Sequence, residues 1–445
     1  MVQRKTILGA CPFGGLARSP APPPEAPACP GRRSLLVGLG FAGAAAGLAP
    51  GAARAASAEA ERRAQPDADG TLDRQPFYGP HQAGIVTAQP AAALVAAFDV
   101  LVDDRQGLVD LMTRLTRRTA ALMACEMPPA TDDRLPPPDS GLLGPQGMSD
   151  NLSMTVAFGA SLFDGRFGLA AHRPKRLLAM TAFPNDALDH DCCHGDILIQ
   201  FNANTAETNI HALRALLKDF PDGLALRWKQ DGFLPPHTIK AQGRDTARNL
   251  LGFKDGTANL DARDTALMDR IVWVDERAGE PSWTEGGTYH VVRVIRTLVE
   301  RWDRTPLHEQ ETIIGRDKAE GAPLGSAREH DVPDYAADPE GRRVPLDAHI
   351  RRANPRDAAS ADSLILRRAY NYSNGLTKAG QLDMGLLFSS FQSDLDRGFI
   401  AVQTRLNGEP LEEYIKPVGG GYYFALPGVS GPDDYFAKAL LEATA

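Results

Sequence analysis

Asp255 stands between two glycines in the segment 252–257, which has the sequence GFKDGT. An Asp-Gly pair by itself is typical of a turn. Here the glycines on both sides, Gly252 and Gly256, also let the backbone approach a ligand closely while the carboxylate points into a cavity. The segment therefore predicts a ligand site that contains Asp255.

His349 lies in a basic segment, and this setting makes it a candidate ligand. Most histidines are surface or core residues rather than ligands. The residues that follow are Arg351, Arg352, Asn354, Pro355 and Arg356. Guanidinium groups pair with anions, and the Asn-Pro step restrains the chain, so the segment predicts anion binding beside His349.

Arg367 and Arg368 are consecutive on a predicted strand that ends at Tyr370. Strand geometry sends consecutive side chains to opposite faces. Only one of the two arginines can therefore enter a given pocket. For either arginine, the alternative to a role in a ligand site is an ion pair within the sheet.

The cysteines predict neither a disulfide framework nor a metal site. Two of the five lie within the first 30 residues, and Cys192 and Cys193 are adjacent in the segment 189–194, DHDCCH. Adjacent cysteines rarely bind one ion together, and the spacing matches no structural zinc pattern. We expect an exposed polar loop there.

The composition is that of a globular protein, with 43% hydrophobic and 23% charged residues. The 48 Lys and Arg against 56 Asp and Glu give a net charge of −8 over 445 residues. Nucleic-acid binding is not expected, because phosphate contacts need clustered Lys and Arg.

The first 55 residues have the features of an export signal. Arg32-Arg33 precedes a weakly apolar run, residues 35–49, and Ala53-Arg54-Ala55 has the small residues of a cleavage site. The paired arginines resemble a twin-arginine (Tat) signal, whereas a signal anchor or a plain secretory signal is the alternative. Residues 1–55 contain six basic residues and one acidic residue, so their removal would lower the net charge from −8 to −13. We expect a periplasmic protein, or an extracellular one if the cell has no outer membrane.

Two parts of the chain have the same predicted order of elements, β-α-β-β-α-β. In the first, the pattern predicts strands at 92–102, 152–158, 197–201 and 224–228, and helices around 108–115 and 213–220. In the second, it predicts strands at 288–299, 364–370, 382–388 and 422–426, helices at 305–314 and 394–406, and a long loop at 315–355. This order predicts an α+β fold of two ferredoxin-like units with facing antiparallel sheets, of the dimeric α/β-barrel type.

The predicted domain organisation follows from these patterns. It comprises a signal at 1–55, a linker at 56–80, an N-terminal unit at 81–240 and a C-terminal unit at 241–445. A large ligand is expected between or beside the sheets.

Four separated motifs together resemble the dye-decolourising peroxidases, and within them the Tat-exported deferrochelatase/peroxidase subgroup. The motifs are the segment 252–257, the segment 349–356, Arg367 eighteen residues after His349, and the segment 419–428, GGGYYFALPG. Their order and spacing agree from about residue 83 to the C-terminus. One departure is Ala369, where some members of the family carry asparagine.

The resemblance implies one non-covalent haem b in the C-terminal unit. His349 would be the proximal iron ligand, and Asp255 and Arg367 would be the distal catalytic residues. The implied haem-contacting residues are Gly256, Thr257, Ala258, Asn354, Pro355, Arg356 and Arg367. A carboxylate would accept the second N–H of His349. Asp394, Glu412 and Glu413 are the candidates, and the sequence does not choose among them.

The resemblance also implies an activity. The protein would reduce hydrogen peroxide with one-electron donors such as small aromatic or dye-like molecules. It would also release iron from haem with the tetrapyrrole intact, as a deferrochelatase that works with iron-uptake components, and it would form a homodimer. The alternative is an exported haem carrier or storage protein with incidental peroxidase activity, which needs His349 but not the pair of Asp255 and Arg367.

Overall fold

The computed structural model describes residues 73–129, 132–236 and 246–443. The predicted export signal lies outside these ranges, as does the first part of the predicted linker. The described part of that linker packs on the C-terminal region, where Tyr78 pairs with Val429. All of the described residues belong to one compact unit, residues 65–445.

The described residues contain nine strands joined in one antiparallel sheet. The strands are β1 Ala92–Val100, β2 Ser153–Gly159, β3 Ile197–Ala203, β4 Leu224–Phe233, β5 Thr288–Thr297, β6 Leu366–Arg367, β7 Tyr370–Leu376, β8 Leu382–Gln392 and β9 Ile415–Ala425. Their order is β5-β9-β2-β3-β1-β4-β7-β8-β6, and an additional pairing of β5 with β8 closes the sheet into a ring. Closure leaves few strand edges unpaired.

Eight α-helices accompany the sheet in the described ranges. They are α1 Arg105–Met123, α2 Ala206–Asp219, α3 Thr265–Ile271, α4 Val299–Trp302, α5 Leu307–Ile314, α6 His349–Ala353, α7 Ala401–Leu406 and α8 Lys438–Ala443. A π-helical turn, Asp396–Ile400, leads directly into α7. Side-chain caps begin the two long helices: Gly107 N donates to Asp104 in α1, and Thr208 N donates to Thr205 in α2.

Alternate residues of β1 belong to two different cores. Leu94, Ala96 and Phe98 pack with α1 and α2 on the outer face of the sheet. Ala93 and Val95 face the inside of the ring, together with apolar residues from both halves of the chain. No helix in the described ranges is long and apolar enough to cross a membrane.

The predicted α+β class is confirmed, and the structure corrects three details of it. The predicted strand at 364–370 is interrupted, because β6 covers only two residues and β7 begins at Tyr370. The predicted loop at 315–355 contains the whole of α6. The last strand begins at Ile415, seven residues before its predicted start, and runs through the glycines at 419–421 that hide its apolar pattern.

Candidate functional site

Asp255 and Arg367 form an ion pair. Arg367 Nη1 donates a hydrogen bond to Asp255 Oδ1 over 2.9 Å. Asn259, which the sequence did not single out, fixes the backbone of this pair: its Nδ2 donates to Arg367 O at 2.7 Å, and Arg367 N donates to its Oδ1 at 2.9 Å. The loop that carries Asp255 is therefore held against β6.

Glu329 holds the Asp255 loop from the other side. Its carboxylate accepts hydrogen bonds from Lys254 Nζ, Thr246 Oγ1 and, at 2.9 Å, Thr257 Oγ1. Burial raises the pKa of Glu329, but these donors outweigh that effect and lower it to about 2. Glu329 was also missed from the sequence, since it lies in the long loop before α6.

The two glycines beside Asp255 have different functions. Gly256 has a φ of +114°, and a methyl group added there would meet no atom within 4 Å. At Gly252 the same methyl group would lie 2.8 Å from Lys318 Cε. Only Gly256 therefore offers open space to a ligand, and Gly252 serves the packing of the loop.

His349, the first residue of α6, forms a hydrogen-bonded pair with Glu409. Its Nδ1 lies 2.8 Å from Glu409 Oε2, and the Glu409 side chain is 3% exposed. Because a carboxylate accepts, Nδ1 carries the proton and Nε2 keeps its lone pair. No hydrogen bond from the described residues occupies Nε2. Burial of the ring opposes its protonation and lowers the pKa of His349. The negative charge of Glu409 and its hydrogen bond to the ring together have a larger effect, so the pKa of His349 is raised overall.

The prediction that the carboxylate partner of His349 is Asp394, Glu412 or Glu413 was wrong. Asp394 accepts from Arg397 Nε, Glu412 accepts from Gly408 N, and Glu413 is exposed beside Arg301. The partner is instead Glu409, which immediately precedes the short 3-10 turn Pro410–Glu413 on the connection that follows α7. The Glu-Pro step was the available signal, because proline keeps the preceding residue extended.

One cavity is lined by His349, Asp255 and Arg367 together. The other predicted site residues on its wall are Gly256, Thr257, Ala258, Asn354 and Arg356. Pro355 is not part of the lining, because only its neighbours face the cavity. Apolar walls come from Leu251, Phe253, Leu386, Phe388, Phe399 and Leu406, among others.

The arginines near His349 divide into two groups. Arg356 lines the cavity, together with Arg316 from the long loop. Arg351 instead donates to Val344 O at 2.8 Å, and Arg352 donates to Asn407 O at 3.1 Å. The last two stabilise the segment around α6 and do not serve the predicted anion site.

The cavity fits haem. An imidazole with a carboxylate on Nδ1 and a lone pair on Nε2 is the usual form of a metal-binding histidine. The apolar walls suit a porphyrin ring, Arg316 and Arg356 suit its carboxylates, and the open space at Gly256 admits its edge. Elsewhere in the described ranges, segment 189–194 included, no cluster of three or more His, Cys, Asp or Glu could hold a bare metal ion.

Comparison with known families agrees with this fit. Residues 82–234 match the N-terminal model of the Dyp-type peroxidases, and residues 246–430 match the C-terminal model. The chain belongs to the Dyp-type peroxidase family. It is a haem-dependent enzyme, so the predicted cofactor and enzyme class are confirmed.

This Dyp-type peroxidase is similar to curated bacterial deferrochelatases over most of its length. It is 56% identical to the deferrochelatase of Escherichia coli (strain K12) over 413 residues, which cover 93% of this chain and 97% of that one. It is 53% identical to the deferrochelatase of Yersinia pestis over 428 residues, 95% of this chain and 98% of that one.

Solved structures of the family are similar as well. A DyP-type peroxidase from Cellulomonas bogoriensis is 35% identical, with a TM-score of 0.74 over 84% of this chain and 99% of that one. Ferric DtpA from Streptomyces lividans is 33% identical, with a TM-score of 0.76 over 85% of this chain and 100% of that one.

Proposed function

We propose that this Dyp-type peroxidase reduces hydrogen peroxide at a haem held by His349, with small aromatic or dye-like molecules as donors. The observation that carries the proposal is one cavity lined both by a carboxylate-paired histidine and by the Asp255–Arg367 ion pair. Haem, when bound, supplies the redox chemistry. One peroxide takes up two electrons and two protons and yields two waters, and each donor molecule gives up one electron.

Three side chains have separate tasks in this proposal. Asp255 accepts a proton from one peroxide oxygen and delivers it to the other. Arg367 stabilises the negative charge that develops on the departing oxygen. Glu409 keeps the proton on Nδ1 of His349, so that Nε2 is the stronger donor to iron.

The remaining site residues bind the cofactor. Gly256, Thr257 and Ala258 would contact the haem through backbone, and Asn354 and Arg356 would hold its edge and carboxylates. Arg316 is a further cation for a carboxylate. Pro355, which does not line the cavity, would act only by restraining the chain between Asn354 and Arg356.

Substitution of the ion pair tests the peroxidase proposal. Haem-loaded Asp255→Asn should react with peroxide about 10²- to 10⁴-fold more slowly, and Arg367→Leu about 10²- to 10³-fold more slowly. Both should keep the Soret band. Asp261 and Arg263 form a surface pair at the same 2.9 Å distance, so Asp261→Asn and Arg263→Leu are matched controls.

A haem carrier would give the opposite result. Such a protein needs His349 and Glu409 but has no use for the Asp255–Arg367 pair. Full peroxide turnover in the doubly substituted protein Asp255→Asn/Arg367→Leu would therefore support the carrier and contradict the enzyme.

We propose that the same cavity also serves release of iron from haem with the tetrapyrrole intact. The support is the similarity to deferrochelatases over nearly the whole chain. Incubation with excess haem, a reductant that converts it to the ferrous form, and an Fe²⁺ chelator should yield equal amounts of chelated iron and fluorescent protoporphyrin, with two protons replacing each iron. Ring-opened products in place of protoporphyrin would contradict this activity.

We further propose a cellular setting, namely export by the Tat route to the periplasm and work with iron-uptake components. The Arg32-Arg33 pair supports this. Arg32→Lys/Arg33→Lys should leave the protein in the cytoplasm, and unchanged export would contradict the proposal.

Two ferredoxin-like units and a homodimer complete the proposal. With β6 and β7 counted as one interrupted strand, the order β7-β8-β5-β9 repeats the order β2-β3-β1-β4 of the first half, which supports the duplication. Sedimentation of the haem-loaded protein should give twice the chain mass.

A further inference from the structure

The inside of the sheet ring contains a buried arginine that no carboxylate neutralises. Arg368 is 4% exposed, and no carboxylate of the described ranges forms an ion pair with it. Its Nη1 donates to Thr87 O at 2.6 Å, whereas Nε and Nη2 meet no acceptor among the described residues. Arginine remains protonated even when buried, so this site carries a positive charge.

Two amide groups on the inner side of the same ring also have unused donors. Gln200 and Asn202 lie two residues apart on β3, so they share a face of the sheet, and both are buried. Gln200 Oε1 accepts from Ser389 Oγ at 3.3 Å, and Asn202 Oδ1 accepts from Tyr370 Oη at 3.3 Å. The amide nitrogens Nε2 and Nδ2 find no partner in the described part of the chain.

Shared neighbours connect these donors on the inner side of the ring. Arg368 N donates to Ser389 O at 2.8 Å, and the Ser389 hydroxyl reaches Gln200. On the other side, Thr87 O accepts from Arg368, and a methyl group added at Gly84 would lie 3.3 Å from Asn202 Nδ2. The region is therefore enclosed by β3, β8 and the turn at residues 84–87.

The other titratable groups nearby do not supply negative charge. His290 contacts Ser389 Oγ through Nε2 at 2.8 Å, and burial lowers its pKa to about 3, so it is neutral. Tyr370 remains a neutral phenol, because burial raises its pKa to about 12. The surplus in this region is thus one positive charge and several N–H groups without acceptors.

We propose that the ring interior binds a small monovalent anion of the halide class, with Arg368, Gln200 and Asn202 as its ligands. Water could accept from these N–H groups, but it would leave the buried charge uncompensated, which is strongly destabilising. A halide accepts hydrogen bonds from several N–H groups and neutralises the positive charge of Arg368. The site lies on the opposite face of the strand from Arg367 and does not depend on the proposed peroxidase chemistry.

Thermal unfolding of the haem-loaded protein in bromide tests the proposal in solution. Potassium gluconate, whose anion is too large for the site, is replaced stepwise by potassium bromide at constant ionic strength. The unfolding midpoint of the wild type should rise by about 2 °C or more, because a ligand of the folded state stabilises it. Arg368→Met should lose this dependence, and the surface variant Arg263→Met should keep it.

Gln200→Glu is a second variant, which places a fixed carboxylate beside Arg368 in place of the anion. It should unfold at a higher temperature than the wild type in gluconate and should show no response to bromide. Gln200→Glu therefore tests the proposed anion site even if Arg368→Met does not fold.

Anomalous diffraction from crystals grown in bromide gives the direct test. A bromide peak within hydrogen-bonding distance of Arg368 is expected in the wild type and should be absent in Gln200→Glu. Density for water only at this position in the wild type would overturn the proposal, whatever the unfolding data show.

Discussion

Glu409 decides what His349 can do. An imidazole at this position could present either nitrogen to the cavity, but the carboxylate on Nδ1 leaves only Nε2 for a metal. The same carboxylate raises the pKa of the ring in the protein without haem, so that a proton and iron compete for Nε2. The residue that strengthens the ligand therefore also makes haem binding sensitive to pH.

Haem affinity should fall as the pH drops below the raised pKa of His349, by about tenfold per pH unit, because one proton is displaced. Glu409→Gln lowers that pKa, so the fall should begin at a lower pH. At neutral pH the variant should bind haem about 10- to 100-fold more weakly and have a higher reduction potential. Haem titrations from pH 5 to 9 measure this.

The control for this experiment is Glu413→Gln, which removes an exposed carboxylate close by in the chain. An identical pH profile for Glu409→Gln and the wild type would show that Glu409 does not act through His349.

Gly256 should be required for haem binding because it leaves open space at the cavity wall. Gly256→Ala introduces a methyl group into that space and also strains the backbone, since φ is +114°. Gly375→Ala imposes similar strain at φ +93° at an exposed irregularity near the end of β7, again with nothing within 4 Å. We expect both variants to lose about 1 kcal/mol of stability, and only Gly256→Ala to bind haem more weakly. Equal haem affinity in the two would contradict the proposed contact.

At the scale of the elements, the site is assembled from loops that only long-range contacts position. Glu409 lies 60 residues from His349, Glu329 lies 75 from Lys254, and Asn259 lies 108 from Arg367. Local periodicity predicted most strands and helices, because each pattern lies within one element. It could not identify these three residues, since nothing in their own neighbourhood indicates the partner.

The contact of Glu329 with the Asp255 loop should stabilise the protein only above acidic pH. The pKa of Glu329 is lowered from 4.5 to about 2, so its contribution is complete above pH 4.5 and is lost as the pH falls towards 2. The shift corresponds to about 3 kcal/mol at neutral pH. Glu329→Gln should lose stability of this order at pH 7, and the difference from the wild type should shrink between pH 4.5 and 2.

Denaturant unfolding at a series of pH values measures this contribution. Glu340→Gln, on an exposed ion pair in the same long loop, is the control. A difference between Glu329→Gln and the wild type that did not change with pH would contradict the assigned pKa.

At the scale of the whole molecule, the two halves of the chain build one ring. Ala157–Gly159 of β2 pair with Tyr423–Ala425 of β9, and Phe233 of β4 pairs with Asn371 of β7. Residues of α1 share a core with Phe436 and Leu440. The sequence indicated the order of elements in each half but not these pairings. The residue pattern of an edge strand does not specify which other strand it will pair with.

The C-terminal half should not bind haem alone, although it contains every proposed haem-contacting residue. Expressed as residues 241–445, it exposes the edges of β9 and β7 and should aggregate. Co-expression with residues 1–240 should restore a soluble haem complex. As a control, an intact chain with a protease site after residue 240 should keep its haem when cut after folding. A soluble, haem-binding C-terminal half would contradict this interdependence.

The absorption spectrum of the protein expressed with haem supplied, recorded before and after one equivalent of hydrogen peroxide, tests the central claim most directly. We predict a Soret band of histidine-bound ferric haem that changes at once with peroxide and returns when a dye donor is added. The band should be lost in His349→Ala. A wild-type protein without a Soret band, or with one that peroxide leaves unchanged, would contradict the account.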